Sequence, residues 1–223
     1  MKETRHDRFQ VFGHRGSTQN HRENTLGAFR ASLEEDADGI ETDLRRLKDG
    51  TIVLFHDSTV GGKPLAMMDR DEFGEQVPEF ATLGDLDELR EKGILVLEVK
   101  EPGLEDQIVE MVEGWPKVVV CSFDHGIIET LSGRGVDFEL GLTVREYRRD
   151  LADRVPDLGA QWFFPRWDVI DDDVVNVFHE AGAKVVAWTA NRPTQWSRLV
   201  DIGCDGVITD VPAVAAIWRQ ERF

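Results

Sequence analysis

Residues 94–123, ILVLEVKEPGLEDQIVEMVEGWPKVVVCSF, read as strand, helix, strand. The runs 94–100 and 118–123 are short and apolar, and 104–114 between them is helix-like, so the stretch is a βαβ unit with parallel strands. The same alternation extends outward in both directions. Further strands are expected at 11–15, 39–43, 138–143, 161–164, 184–189 and 206–209. Further helices are expected at 25–35, 83–91, 125–133, 145–154, 172–181, 193–201 and 212–221. Eight strand–helix pairs is the number that closes a (β/α)₈ TIM barrel. A doubly wound open sheet is the competing arrangement, but no glycine-rich phosphate loop follows the first strand. The fold class is therefore α/β, a single barrel domain over residues 1–223.

One segment breaks the alternation. Only Leu44 to Gly50 separate Asp43 from the apolar run Thr51–Phe55, too few residues for a parallel crossover. Asp49-Gly50 reads as a two-residue hairpin turn, which pairs Lys48 with Thr51 and sets His56 opposite Asp43. Strand two is thus expected to leave the barrel mouth as a β-hairpin extension and return His56 to the catalytic end of the barrel. Residues 58–82, with Gly61-Gly62, Pro64 and Pro78, have no clear period and read as a short inserted loop at the mouth, a cap or lid.

Composition narrows the function. With 223 residues, 41% of them hydrophobic, the chain can bury a substantial core. The net charge of −17 excludes a nucleic-acid binder and argues against stable membrane association. Two separated cysteines form no disulfide framework, and the polar start MKETRHDRFQ carries no apolar leader, so a cytoplasmic location is expected. Seven Lys against nineteen Arg, and 43 acidic residues, give the texture of a halophilic protein whose self-repulsion salt relieves. The runs Glu34-Glu35-Asp36 and Asp171-Asp172-Asp173 read as solvated helix ends, and His6, His21, His125 and His179 as ordinary histidines.

Chemistry-bearing residues gather at the strand ends. His14 and Arg15 close the first strand; Glu41 and Asp43 point to one face of the second, and Glu98 and Lys100 to one face of the third. A carboxylate in an apolar strand is costly unless paired or metal-bound. The plainer reading is that Glu41 and Asp43 pair with Arg15 and Lys100. Three carboxylates on one rim instead favour one divalent cation, and an oxygen-only set suits Mg²⁺ or Ca²⁺ rather than Zn²⁺. His14 and His56 are the groups able to exchange protons near neutral pH. Arg15 offers a fork, and Lys100 a point charge, for a phosphate.

These residues resemble the glycerophosphodiester phosphodiesterase family over nearly the whole chain. The likeness runs through His14-Arg15-Gly16, Glu23-Asn24-Thr25, Ile40-Glu41-Thr42-Asp43, Lys48-Asp49-Gly50, His56-Asp57 and Leu97-Glu98-Val99-Lys100. It continues through Ser122-Phe123, Trp188-Thr189-Ala190-Asn191 and Gly206-Val207-Ile208-Thr209-Asp210 with Pro212. The resemblance implies a barrel that hydrolyses a small-molecule phosphodiester to glycerol phosphate and an alcohol. His14 and His56 would be the acid/base pair, Glu41, Asp43 and Glu98 the metal ligands, and Arg15 and Lys100 the phosphate holders. Asn24 would fix the first loop, and Phe123 and Trp188 would wall the pocket.

The chain departs from the family after Asp57, where Ser-Thr-Val-Gly-Gly replaces an Arg-Thr-Thr-like stretch and the insertion is short. Arg22 stands where a proline is usual, and Ala190 where a valine is. Three other readings compete. A lysophospholipase D-like enzyme would need a membrane-facing patch, and none is evident. A metal amidohydrolase would need His-x-His on strand one, where Arg15-Gly16 follow His14. A non-catalytic binding barrel would have lost a histidine or carboxylate, and all are present.

Overall fold

The computed structural model describes residues 9–148 and 150–223. In chain order the strands are β1 (Gln10–His14), β2 (Gly39–Arg46), β3 (Ile52–Leu54), β4 (Thr59–Val60), β5 (Lys63–Pro64), β6 (Ile94–Val99), β7 (Val118–Ser122), β8 (Glu139–Val144), β9 (Trp162–Pro165), β10 (Lys184–Ala187) and β11 (Gly206–Thr209). The α-helices are α1 (Leu26–Glu34), α2 (Arg70–Gln76), α3 (Glu105–Val112), α4 (His125–Gly133), α5 (Asp150–Asp157), α6 (Asp172–Glu180), α7 (Pro193–Asp201) and α8 (Pro212–Arg222). Eight parallel strands follow in the order β1-β11-β10-β9-β8-β7-β6-β2, and β1 pairs with β2 to close the barrel. The expected TIM barrel is the observed fold. His6 lies outside the described residues, and among those described no helix is long and apolar enough to cross a membrane.

The helices begin where their caps say they should. Thr25, Asp69, Asp124 and Asp171 accept from backbone N–H groups in the first turns of α1, α2, α4 and α6, and prolines open α7 and α8. Asp171 to Asp173 are thus the start of α6, as the solvated-end reading expects. Two helices differ from expectation. The segment between α2 and β6 is a 3₁₀ helix over Leu83–Leu89, because Leu83, Leu86 and Leu89 recur every third residue and are all fully buried. Helix α5 starts at Asp150 rather than 145, leaving Arg145 in the loop after β8.

The hairpin exists, with its register moved by one residue. Leu44, Arg45 and Arg46 pair with Leu54, Val53 and Ile52. Leu47 N donates to Thr51 O (2.9 Å) and Gly50 N to Leu47 O (3.0 Å), so the loop holds three residues, Lys48, Asp49 and Gly50. Gly50 takes φ +89°, the left-handed residue that such a loop ends on. Phe55 N accordingly donates to Asp43 O (2.9 Å), and His56 lies one residue beyond its expected place.

Residues 58–82 are more ordered than a loop. β4 and β5 form a small antiparallel pair, a 3₁₀ turn spans Leu65–Met67, and α2 follows. Leu65, Phe73 and Val77 pack on Leu47 and Val53 of the hairpin, with Phe73 edge-on to Phe55 and Phe80 at 5.4 and 5.2 Å. The segment supplies no residue to either cavity described below, so the structure gives it no lid contact there.

Inside the barrel, Phe12, Val96, Val119, Cys121, Trp162, Phe164, Val186 and Ile208 form one apolar cluster, with Trp162 stacked on Phe164 at 5.8 Å. The larger cluster lies outside, between strands and helices. The barrel axis is thereby filled: Glu139 and Lys184 meet Trp162 at the N-terminal ends of β8 and β10, and the acidic cluster lies towards the C-terminal ends.

Candidate active site

The closing register of the barrel assembles the site. His14 of β1 pairs beside Glu41 of β2, and Asp43 of β2 beside Glu98 of β6. Like charges set side by side repel unless a cation stands between them. Here Lys100 Nζ lies 2.9 Å from Asp43 Oδ1 and is also ion-paired to Glu98. Arg15 Nε lies 3.2 Å from Asp43 Oδ2, and its Nη1 donates to both oxygens of Glu23 at 3.1 Å. The plainer pairing expected from sequence is thus realised for Asp43, while Glu41 Oε2 accepts from the Arg15 backbone N–H (3.2 Å) and makes no side-chain ion pair with Lys or Arg among the described residues.

Oxygens of Glu41, Asp43 and Glu98 all lie within 4.8 Å of one another, and all three residues are buried. Two oxygens sharing one Ca²⁺ at about 2.4 Å are at most about 4.8 Å apart, so the separation suits a single ion. Asp43 Oδ1 is buried and makes no well-directed hydrogen bond despite its proximity to Lys100, so it has a lone pair to give. These residues therefore fit a hard divalent cation.

The electrostatics say the same. Burial and the Asp43 carboxylate push Glu41 up to about 8. Burial also raises Glu98. Burial would raise Asp43 too, but Lys100 and Arg15 outweigh it and hold that carboxyl below its ordinary range. Lys100 is raised because Glu98 and Asp43 overcome its own desolvation. A site that carries an extra proton on a carboxyl when empty is short of positive charge.

The loop after β1 is bent to serve this cluster. Arg15 and Asn24 both take φ +56°, an uncommon conformation for side-chain-bearing residues, and Asn24 N donates to Arg15 O (3.0 Å). Asn24 Nδ2 donates to Asp43 Oδ2 (2.9 Å), and Thr42 Oγ1 donates to Asn24 Oδ1 (2.7 Å). Gly16, at φ +89°, lies so close to α1 that a Cβ would come within 2.6 Å of the Ala28 backbone.

Each histidine holds a carboxylate on Nδ1. His14 Nδ1 is 2.6 Å from Asp210 Oδ1, and its Nε2 is 3.9 Å from Glu41 Oε2. Burial opposes a charge on His14, but Asp210 and Glu41 outweigh it and raise its pKa; Asp210 is lowered in turn, against its own burial. His56 Nδ1 is 2.7 Å from Asp57 Oδ1, and Arg45 Nε holds the His56 carbonyl at 2.7 Å. His56 lines one cavity with Glu98, Lys100 and Phe123, so the shifted hairpin still delivers it to the cluster. Phe123 and Trp188 stand edge to face at 5.3 Å, and Trp188 Nε1 donates to Phe164 O (2.8 Å). Every site residue expected from sequence therefore lies at this end of the barrel.

Sequence reasoning assigned no role to three contributors. Asp210 is gripped by Asn191, whose Nδ2 donates to Asp210 Oδ2 (2.5 Å) and whose Oδ1 accepts from Asp210 N (2.8 Å). Arg45 anchors the hairpin return through His56 O and Glu101. Arg145 stands over the Phe123 ring at 5.0 Å. The available signal was position: each sits at or just past the end of a strand.

Comparison with known proteins identifies the family and the fold. The model of the glycerophosphoryl diester phosphodiesterase family matches residues 14–94 and 104–214. A glycerophosphodiester phosphodiesterase of Caldanaerobacter subterraneus subsp. tengcongensis is 28% identical over 91% of this chain and 94% of its own. The crystal structure of the Thermotoga maritima glycerophosphodiester phosphodiesterase is 25% identical, covering 94% of this chain and 97% of that one, with a TM-score of 0.82. An Oleispira antarctica phosphodiesterase, solved with the product sn-glycerol-3-phosphate, shares the fold at 24% identity and a TM-score of 0.79, over 93% of this chain and 96% of its own.

Proposed function

The chain belongs to the glycerophosphoryl diester phosphodiesterase family, a family of phosphoric diester hydrolases, and on that premise we propose that it hydrolyses glycerophosphodiesters to glycerol phosphate and an alcohol. The observation that carries the reading is the convergence of Glu41, Asp43 and Glu98 within 4.8 Å at the end of the barrel that also holds both histidines. An all-oxygen donor set selects Mg²⁺ or Ca²⁺, with these three carboxylates as its ligands. A bound divalent cation supplies charge neutralisation to the phosphate oxygens in the transition state.

The chain's own groups do the rest. Lys100 and Arg15 bring fixed positive charge to the phosphate. His14 and His56 each commit Nδ1 to a carboxylate, which leaves Nε2 for the reacting groups. One histidine takes the proton of the attacking oxygen and the other gives a proton to the departing alcohol. Asn24 fixes Asp43 and the first loop. Phe123 and Trp188 wall the space beyond the phosphate.

Removal of a positioned acid or base costs roughly 10²–10⁴ in rate. His14→Ala and His56→Ala are expected to lose that much kcat while titrating Mg²⁺ or Ca²⁺ like the unsubstituted protein. Near-normal kcat in either variant removes that histidine from the mechanism.

A further inference from the structure

Two cavities meet the acidic cluster, and they differ greatly in size. The axial one, of about 20 Å³, draws one residue from the C-terminal end of each barrel strand, His14 and Glu41 among them. The other, of about 690 Å³, runs from Glu98 and His56 past Phe123 to the loop after β8 and the start of α5. Only the second has room for the larger half of a diester.

Its far wall sets three arginines beside Asp124, Glu146 and Asp150. Arg145, Arg148 and Arg154 line it. Arg148 is spent on Asp150, at 2.6 Å, and Arg154 lies 3.8 Å from Glu129. Arg145 has no carboxylate within ion-pair distance among the described residues. Its guanidinium rests on Phe123, the ring that Trp188 braces. Arg145 directly follows β8 in the loop at the barrel mouth, and its exposed side chain lines this cavity.

Two of the three acids on the same wall are already engaged. Asp124 accepts from Gly126 N at the start of α4, and Asp150 belongs to Arg148. Glu146, the next residue of the same loop, also lines the cavity and is exposed. An arginine stacked on an aromatic ring and left without a carboxylate, among so many acids, is a fork held ready for an anion.

We propose that the preferred diesters of this enzyme carry a second anionic group, a phosphate monoester, on the leaving alcohol, and that Arg145 is the residue that selects it. The proposal rests on the phosphodiesterase reading above and specifies its substrate class. The chemistry is unchanged: the P–O bond to the alcohol breaks, the oxygen of water bonds to phosphorus, and a proton ends on the alcohol. The second phosphate is a spectator that Arg145 holds.

The test uses two synthetic diesters, glycerophosphoglycerol and the same molecule with its terminal hydroxyl phosphorylated. Each is given to the unsubstituted enzyme, to Arg145→Gln and to Arg145→Lys, at the lowest salt that keeps all three folded by circular dichroism. The unsubstituted enzyme is expected to favour the phosphorylated diester by about tenfold or more in kcat/KM, as a charge-assisted bidentate contact allows. Arg145→Gln is expected to reduce that ratio to near one, and Arg145→Lys to retain part of it. Hydrolysis of both diesters at equal kcat/KM, or a ratio unchanged in Arg145→Gln, overturns the assignment alone. Release from neither diester overturns the underlying phosphodiesterase reading with it.

Discussion

On the proposed reading, Glu41 is the ligand whose protonation a bound cation would change. With its carboxyl pushed up to about 8 by burial and by Asp43, a cation held there would have to displace a proton at pH 7. The sign follows directly. Below pH 8 the cation competes with that proton, so apparent affinity rises with pH and levels off above about 8. Calorimetric titration of Mg²⁺ in buffers of different ionisation enthalpy is expected to show proton release at pH 7 and much less at pH 9. Asp210 poses a second question at this scale. Its carboxylate fixes His14 Nδ1 and is itself fixed twice by Asn191. Asp210→Asn is expected to lower kcat at least tenfold, less than the loss of His14 itself, with KM little changed. Steady-state kinetics on the purified variant checks this, and an unchanged kcat contradicts it.

At the scale of elements, much was legible because each carries a local signature. Buried parallel strands are short apolar runs, so all eight barrel strands fall within a few residues of their expected positions. The carboxylates stood out for the same reason, since Glu98 in ILVLEVK is conspicuous where everything around it is apolar. The hairpin register was not legible. Asp49-Gly50 marks a turn, but whether two or three residues form it depends on Gly50 adopting the left-handed conformation at the loop's end. The 3₁₀ helix was misread because Leu83, Leu86 and Leu89 satisfy a period of three and approximate one of 3.6. Asp210, quoted within the family likeness, was given no role because its partner, His14, is 196 residues away, and only closure of the barrel brings them together. Two stability predictions belong here. Gly50→Val puts a branched side chain at φ +89° and is expected to cost on the order of 1–2 kcal/mol, read by urea denaturation. Leu86→Ala empties a fully buried position and is expected to cost about 2–5 kcal/mol by the same measurement.

For the whole molecule, 43 acidic against 26 basic residues leave −17 charges on one compact barrel. Self-repulsion at that density weakens the folded state, and salt screens it over about 10 Å at 0.1 M and about 3 Å at 1 M. The thermal midpoint is therefore expected to rise between low and molar KCl, and a midpoint indifferent to salt contradicts the halophilic reading. The same excess of acid makes a cation at the barrel mouth more than a local need, since an anionic diester must approach against the field of the whole protein. The most direct measurement is release of glycerol phosphate from a glycerophosphodiester by metal-stripped protein, followed by addition of Mg²⁺ or Ca²⁺. No turnover in EDTA and restoration by the ion is the expected result. Undiminished release from the stripped protein, or none from folded protein with either ion, would contradict a metal-dependent phosphodiesterase built on Glu41, Asp43 and Glu98.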